Sequence, residues 1–566
     1  MKNWKRILTG EVNENNKKYI VLYFAVISFL EILAYLKGSI FSVVASRVWL
    51  LTAITLGSVF GGYVIYKLYD DLKQKRYIVL IGFLWLLCFL FYYIGHVGFA
   101  DINPDATQQL GAGLDSFHAV DWNYTGQAFL GYANRKYVLG AIPALLFGRS
   151  VFTLHLGFAG LFIVGLCMMY FECREWLKLN EVEETLALLP CYAMIAFRFI
   201  AEYYLNFEQA ITPVALTMMG IALFMKVYRQ MDVVTLIAIT RVGCFYSTSY
   251  TPALASLGLL ICFMILYAVD IYKKNVTIKV VKKTWAECKS SFAKMELLGA
   301  SVITMGCFFV ATLLGEREDR LTSVRDDMDW ILLALDAGRD FFTDKNAVFF
   351  GVFLWIVLLY MIFALTFRLK FYDFVMAVWV LGVVVVANVL VGYTTSYEKC
   401  WILQRNMIVI PVLVTGIFLT IVRILRVNQL QIRNRCIIVF LLFFGLLGVS
   451  HFGKEHQSFT YFRYIQPMKF MITCAETVVE EKGIADEDDF NIILITDNLL
   501  QSNIYDYATF FYPNASAYSM TTKGNIPPNV DWSKRTIVFS ESEEALLRLG
   551  VDIQSKEYSW YYGEIK

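Results

Sequence analysis

The chain has 566 residues; 58% of them are hydrophobic, only 17% are charged, and the mean hydropathy is +0.55. This composition excludes an ordinary soluble globular protein. Runs of about 20 consecutive apolar residues recur along the chain, which predicts an α-helical polytopic membrane protein. The formal net charge of only +2 gives no indication of a nucleic-acid partner, and the distribution of the charges is more informative than their sum.

About thirteen apolar segments are long enough to be membrane spans, several of them near the lower limit of roughly 17 residues. These segments are 19–36, 48–66, 77–98, 150–172, 184–200, 210–228, 231–247, 250–271, 296–314, 346–367, 372–394, 406–425 and 435–450. Together they predict a transmembrane domain over residues 1–450.

One set of connections between these spans is rich in Lys and Arg, and the alternate connections are poorer in them. The basic residues of the first set are Lys2, Lys5, Arg6, Lys17, Lys18, Lys67, Lys73, Lys75, Arg76, Lys273, Lys274, Lys279, Lys282, Lys283, Lys289, Lys294, Arg423, Arg426, Arg433 and Arg435. The positive-inside rule therefore predicts a cytoplasmic N-terminus. We expect the protein in the plasma (inner) membrane. An odd number of spans then makes the C-terminal segment extracytoplasmic, together with the loops 99–150, 201–209 and 315–345.

The loop 99–150 is the longest polar interruption in the first half of the chain. Its carboxylates, which include Asp101, Asp105 and Asp121, come before its bases, which include Arg135 and Lys136. A large loop of this kind between two spans is where we expect the chemistry.

Asp105 lies at a predicted helix start within this loop. Asn103 is a favoured capping residue, Pro104 suits the first helical position, and an acid beside the positive end of a helix is stabilised. Gly111 and Gly113 end the helix. Asp105 is therefore predicted to be held in place, either for chemistry or only as a complement to the helix dipole.

Arg241 is the most informative charge inside a predicted span. The segment 231–247 is short and interrupted by Gly243, and an intramembrane charge is costly unless it has a function or a partner. Three interpretations stay open: a functional role, a side chain that extends to the membrane interface, and a pair with a neighbour such as Glu202.

The tail 451–566 is predicted to be a small extracytoplasmic α/β domain. The runs 491–496 and 536–540 have the length and apolar character of buried strands, and 541–549 has the pattern of a helix. The eleven cysteines form no C-x-x-C motif and the five histidines show no ligand spacing, so no metal site is predicted from them. Most cysteines are expected to be packing residues, with a Cys400–Cys474 disulfide as the open alternative.

The sequence resembles the GT-C superfamily of membrane glycosyltransferases, which includes protein O-mannosyltransferases and the aminoarabinose transferase of lipid A. Asp105 follows a span by about ten residues, in NPDATQQLGAG, and the loop closes with the pattern Y-x-x-x-A-x-P-A-L-x-F-G-x-S over Tyr137–Ser150. The second outer loop carries a further acid, Glu202 or Glu208, and Arg241 lies in a later break rich in Gly and Thr. The resemblance covers roughly residues 77–270, and Asp105 is followed by Ala106 where many members have Glu.

This resemblance implies a polyprenyl-phosphate-linked sugar as donor. Because phosphate is a good leaving group, it needs no general acid, and cations bind it instead. The acceptor hydroxyl is a poor nucleophile, so a carboxylate must accept its proton. Asp105 is the expected base, and Asp121 and Glu208 either orient the acceptor or hold a divalent metal ion, so the need for a cofactor stays open. Arg135, Lys136 and Arg241 are the expected phosphate ligands, and Glu202 and Asp101 are secondary acids or acceptor contacts. The acceptor is an extracytoplasmic glycan, lipid or protein.

Two other functions fit a polytopic chain with intramembrane charge. A lipid or polysaccharide transporter or flippase would share the broken spans, but the sequence shows no inverted repeat. A polysaccharide polymerase or ligase would share the lipid-linked substrate and the large outer loops. The concentration of loops and tail on one predicted side favours an enzyme that acts at the outer surface.

Overall fold

The computed structural model describes a group of helices before residue 430 and a β-sheet after residue 490. The described residues are 12–34, 40–77, 151–196, 211–247, 285–315, 409–427, 490–497, 516–526, 528–557 and 560–565, together with 10, 80, 82–84, 87, 142–144, 146–148, 261, 264–265, 267–268, 271 and 332.

Each of the main helices overlaps one predicted span. They are α1 Glu14–Ala34, α2 Ile40–Lys73, α3 Val151–Leu179, α4 Leu188–Ala196 (preceded by a 3₁₀ turn, Glu184–Ala187), α5 Ile211–Arg229, α6 Val233–Ser247, α7 Trp285–Gly315 and α8 Val409–Val427. Helix α2 is 34 residues long and extends beyond the predicted span 48–66 at both ends, through the mostly apolar segment 40–47 and the charged segment 67–73. Within the described residues, no helix combines the length and the apolar character that crossing a membrane requires.

Local side-chain chemistry sets several helix ends. Asn13 and Asn16 hydrogen-bond each other's backbone N–H at the start of α1, in a reciprocal cap. Asp232 caps α6 by accepting from the backbone N–H and the hydroxyl of Thr235. The turns after α2 and α3 contain Lys75 and Glu181 with positive φ, the left-handed conformation that commonly terminates a helix.

Helices α2, α3, α5 and α8 run in the same direction. Contacts between α2 and α3 advance together along both chains, from Tyr63 with Glu172 to Lys67 with Glu175. Helix α3 meets α8 in the same sense, first where Thr415 lies beside the sulfur of Met169 and later where Arg426 donates to Asn180 at 2.8 Å. The close approach of α3 to α5 begins near Gly165 and continues to an ion pair between Glu172 and Arg229.

Helices α1, α6 and α7 form a second parallel set. Lys17 pairs with Glu296, and further along both helices Ser28 donates to Thr304, so α1 and α7 run in the same direction. The backbone N–H of Val12, just before α1, donates to the carbonyl of Met231 in the short turn between α5 and α6. This contact places the starts of α1, α6 and α7 beside the ends of α2, α3, α5 and α8, and we call this end of the assembly the ion-pair end.

The C-terminal strands form one mixed sheet with the order β2-β1-β3-β5-β4. The strands are β1 Asn491–Ile495, β2 Ser516–Met520, β3 Thr536–Ser540, β4 Asp552–Glu557 and β5 Trp560–Ile565, with the short helix α9, Glu543–Arg548, between β3 and β4. Strand β1 pairs in parallel with β2 and β3, and β5 is antiparallel to both β3 and β4. The two strands and the helix predicted at 491–496, 536–540 and 541–549 are confirmed as elements.

The sheet has a buried face on each side. Ile493, Ile495 and Val538 pack against Leu546 of α9 in one cluster. The alternate residues of the central strands, such as Leu494 and Phe539, are also fully buried. A sheet buried on both faces needs continuous apolar strands, and β1 reads NIILI for that reason. The domain boundaries 1–450 and 451–566 and the extracytoplasmic placement of the tail stay predictions.

Candidate functional site

The structure describes Arg241 among the predicted site residues. The other predicted residues lie outside the described part of the chain; they are Asp101, Asp105, Asp121, Arg135, Lys136, Glu202 and Glu208. The candidate Cys400–Cys474 disulfide lies outside it as well. The described residues show no group of three or more His, Cys, Asp or Glu side chains arranged to hold a metal ion.

Arg241 lies in the interior of the helix assembly, where α6 packs against α7. Its side chain is 1% exposed, and its guanidinium carbon lies 5.9 Å from the centroid of the Phe308 ring. This burial excludes the interpretation in which Arg241 extends to the surface. The alternative pair with Glu202 is not tested, because Glu202 is outside the described residues.

Helices α6 and α7 are in close contact on both sides of Arg241 in the sequence. The hydroxyls of Thr240 and Ser301 are hydrogen-bonded at 2.5 Å, and a Cβ atom on Gly243 would lie 2.6 Å from the sulfur of Met305. Arg241 is eight residues from Val233 at the start of α6, or about 12 Å along the helix from the ion-pair end. A planar guanidinium held there has the shape and charge that suit phosphate oxygens.

A second group of charges, which the sequence did not predict, joins α2, α3, α5 and the 3₁₀ turn at the ion-pair end. Its centre is a bidentate pair in which Arg174 of α3 donates two hydrogen bonds to the carboxylate of Asp71 of α2. The Nε of Arg174 also lies 3.1 Å from a carboxylate oxygen of Glu184, and Arg76 approaches the same oxygen at 3.5 Å. The Asp71 and Arg174 side chains are 2% and 3% exposed.

Glu172 of α3 connects helix α5 to this group. It accepts a hydrogen bond from the Tyr63 hydroxyl and one from Arg229, each at 2.6 Å. Further out, a carboxylate oxygen of Glu175 lies within 3.3 Å of the amines of both Lys67 and Lys178. We call this whole group the ion-pair network: Tyr63, Lys67, Asp71, Arg76, Glu172, Arg174, Glu175, Lys178, Glu184 and Arg229.

The buried acids and bases of this network pair with one another, so its geometry indicates a structural role. Buried charges are tolerated in proteins when they are paired and hydrogen-bonded in this way. The signal in the sequence is the run Glu172–Lys178, ECREWLK, in which four charges follow directly on an apolar stretch. Nothing local in that run identifies Asp71 as the partner of Arg174, because Asp71 and Arg174 are 103 positions apart.

Polar side chains also meet where the parallel strands of the tail end. Thr496 donates to Glu541 at 2.8 Å, and Asp497 accepts from both the hydroxyl and the backbone N–H of Thr522. These two donors lower the pKa of the exposed Asp497 carboxyl below its ordinary value. The interactions connect the ends of β1, β2 and β3.

Comparison with known proteins relates the chain to a solved fold. No family model and no curated protein matches the sequence. Among solved structures, the chain is similar to ArnT from Cupriavidus metallidurans bound to undecaprenyl phosphate, with a TM-score of 0.50 and 10% identity over 86% of this chain and 97% of that one. It is also similar to the apo state of the same protein, with a TM-score of 0.51 and 10% identity over 87% of this chain and 98% of that one. This likeness is one of fold, and the fold agrees with the one that the sequence resemblance implies.

Proposed function

We propose that this chain is a GT-C-type membrane glycosyltransferase that moves a sugar from a polyprenyl-phosphate donor to an extracytoplasmic acceptor. The observation that carries the proposal is the shared fold with ArnT over nearly the whole length of both chains, since one ArnT structure holds undecaprenyl phosphate. At 10% identity the relation does not extend to the choice of sugar or acceptor. The sequence resemblance supports the same class of reaction independently of the fold.

The reaction exchanges one bond at the anomeric carbon of the sugar. The bond from that carbon to the phosphate oxygen breaks, the acceptor oxygen bonds to the carbon, and the polyprenyl phosphate leaves. Asp105 accepts the proton of the acceptor hydroxyl as general base. Arg135, Lys136 and Arg241 bind the phosphate and stabilise the negative charge that grows on it as it leaves.

The remaining acids have supporting roles in this proposal. Asp121 and Glu208 orient the acceptor or hold a divalent metal ion, whose charge would add to that of the basic residues at the phosphate. Glu202 and Asp101 contact the acceptor or act as secondary acids. The acceptor is a glycan, a lipid or a protein of the cell envelope.

The arrangement of the helices supports the placement of the basic connections on one side of the membrane. Lys17, Lys67, Arg76 and Arg426 belong to three predicted basic connections, and all of them lie at the ion-pair end. We assign this end to the cytoplasm of a multi-pass protein in the plasma (inner) membrane. Arg241 then lies beyond it, towards the side on which we place the acceptor.

The test is sugar transfer in reconstituted membranes. The purified chain in liposomes is supplied with a polyprenyl phosphate that carries a radiolabelled sugar and with an extract of envelope glycans, lipids and proteins. The proposal expects labelled acceptor and free polyprenyl phosphate in equal amounts. Movement of the intact lipid-linked sugar between leaflets, without transfer, would instead identify a flippase.

A further inference from the structure

Three parallel helices are joined at one end through buried charges. Asp71 of α2, Arg174 of α3 and Glu172 of α3 are each no more than 3% exposed, and Arg229 of α5 completes the second link. Each link therefore joins two helices that are distant in sequence, and the 3₁₀ turn adds a third contact through Glu184.

Apolar helix contacts and buried ion pairs constrain sliding to different degrees. The contacts of α3 with its neighbours include Phe171 against Tyr63 and Met218 against the surface of Gly165, and such contacts can be remade after a small axial shift. A shift of one residue moves a helix by about 1.5 Å, which is enough to break a bidentate hydrogen-bonded pair. Buried polar pairs are best attested as devices that specify register.

The same region contains buried cysteines, whose accessibility to a thiol reagent reports on whether the surrounding helices stay packed. Cys173 lies between Glu172 and Arg174 of α3 and is 0% exposed. Cys191 of α4 is also 0% exposed, and its sulfur lies 4.0 Å from the carbonyl oxygen of Leu166 in α3. Cys244 of α6 is equally buried but belongs to the other parallel set of helices, so it serves as an internal reference.

We propose that the buried pairs of the ion-pair network, Asp71 with Arg174 and Glu172 with Arg229, form a local clamp that holds α2, α3 and α5 in one axial register at the ion-pair end. Conformational change in the helix assembly is then confined to regions away from this end. The inference is independent of the reaction, because it rests on the contacts among these helices and on their burial.

Thiol alkylation of the full-length protein in detergent tests the clamp. The variant Asp71→Asn keeps the shape of the side chain and removes its charge, and mass spectrometry assigns the alkylation rate to each cysteine. We expect the rates at Cys173 and Cys191 to rise at least about tenfold, because breaking a buried pair favours local opening, while the rate at Cys244 stays within about twofold. Lys178→Gln, which removes a partly exposed partner of Glu175, should leave all three rates near those of the wild type.

A second variant keeps the test decisive if Asp71→Asn does not fold. Glu172→Gln weakens the link from α3 to α5 and leaves the pair of Asp71 with Arg174 in place, so the same increase is expected at Cys191. Unchanged rates in both variants would overturn the clamp. Equal increases at Cys191 and Cys244 would overturn it too, since they would show that the network stabilises the assembly as a whole.

Discussion

Gly165 of α3 lies directly against the backbone of α5 at Ala215. A Cβ atom on Gly165 would be 2.9 Å from the Ala215 carbonyl oxygen and 3.3 Å from the Cβ of Met218. The absence of a side chain at this position therefore sets how closely the two helices approach. Because one of the atoms in the way is backbone, no side-chain rotation can relieve the contact.

The first prediction concerns this approach. Gly165→Ala should lower the free energy of unfolding by about 1–3 kcal/mol, the usual cost of an added methyl group in a packed interior. Gly160→Ala is the matched control on the same helix, because a Cβ there meets no atom of the described residues within 4 Å. Its unfolding free energy should rise by about 0.5–1 kcal/mol, since Ala is the better helix former. Thermal unfolding in detergent measures both, and equal stabilities would contradict the prediction.

The second prediction compares a buried with a partly exposed member of the ion-pair network. Arg174→Met leaves the Asp71 carboxylate buried without its bidentate partner, so the protein should lose about 3–5 kcal/mol of stability. Lys178→Met removes a charge whose side chain is 28% exposed, and the loss should stay at about 0–1 kcal/mol. Denaturant unfolding of the two variants in the same detergent checks the difference. A loss in Arg174→Met no larger than in Lys178→Met would show that Asp71 finds another partner.

The third prediction concerns the phosphate of the donor. Arg241→Leu should weaken binding of a labelled polyprenyl phosphate by about 1.5–3 kcal/mol, the contribution of a hydrogen bond to a charged group. Arg241→Lys keeps the positive charge but not the planar fork, so it should retain part of the affinity. Equilibrium binding in detergent measures both variants. Wild-type affinity in Arg241→Leu and in the double variant Arg135→Ala, Lys136→Ala would place the phosphate elsewhere.

The fourth prediction concerns the general base. Asp105→Asn keeps the shape of the side chain but cannot accept a proton, so sugar transfer should fall by ~10²-fold or more. Donor binding should change little, because other residues hold the phosphate. Asp115→Asn in the same loop is the control and should keep most of its activity, because Asp115 has no role in the proposed reaction. Near-wild-type turnover in Asp105→Asn would remove Asp105 from the mechanism, and a collapse in Asp121→Asn or Glu208→Gln would assign the role to that residue.

The sequence predicts elements best where one local property dominates. The apolar runs predict the positions of the helices, and the short run NIILI predicts β1 because both faces of that strand are buried. Strand β4 reads DIQSKE, and most of its described side chains are exposed, so it has no apolar pattern to recognise. Its position depends on pairing with β5, which a local reading does not include.

Long-range partners are the part that the sequence does not predict. The charges Lys67, Arg76 and Arg426 indicate the sidedness of their connections, and the structure brings them to one end. The pairing of Asp71 with Arg174 depends on the register of two helices, which is set by packing over many residues. The burial of Arg241 likewise depends on α7, which follows it by more than 40 positions.

The strand order of the tail has a consequence for how the protein folds. Strand β1 is central in the sheet, yet both of its neighbours come later in the chain, since Asn491 pairs with residues 516 and 536. Such non-local pairing is slow, because the chain must lose the entropy of closing long loops before any strand contact stabilises it. During this interval the apolar run of β1 has two unpaired edges, which is the condition that favours aggregation. The yield of folded protein should therefore be more sensitive to the speed of synthesis in this segment than in the helices before it.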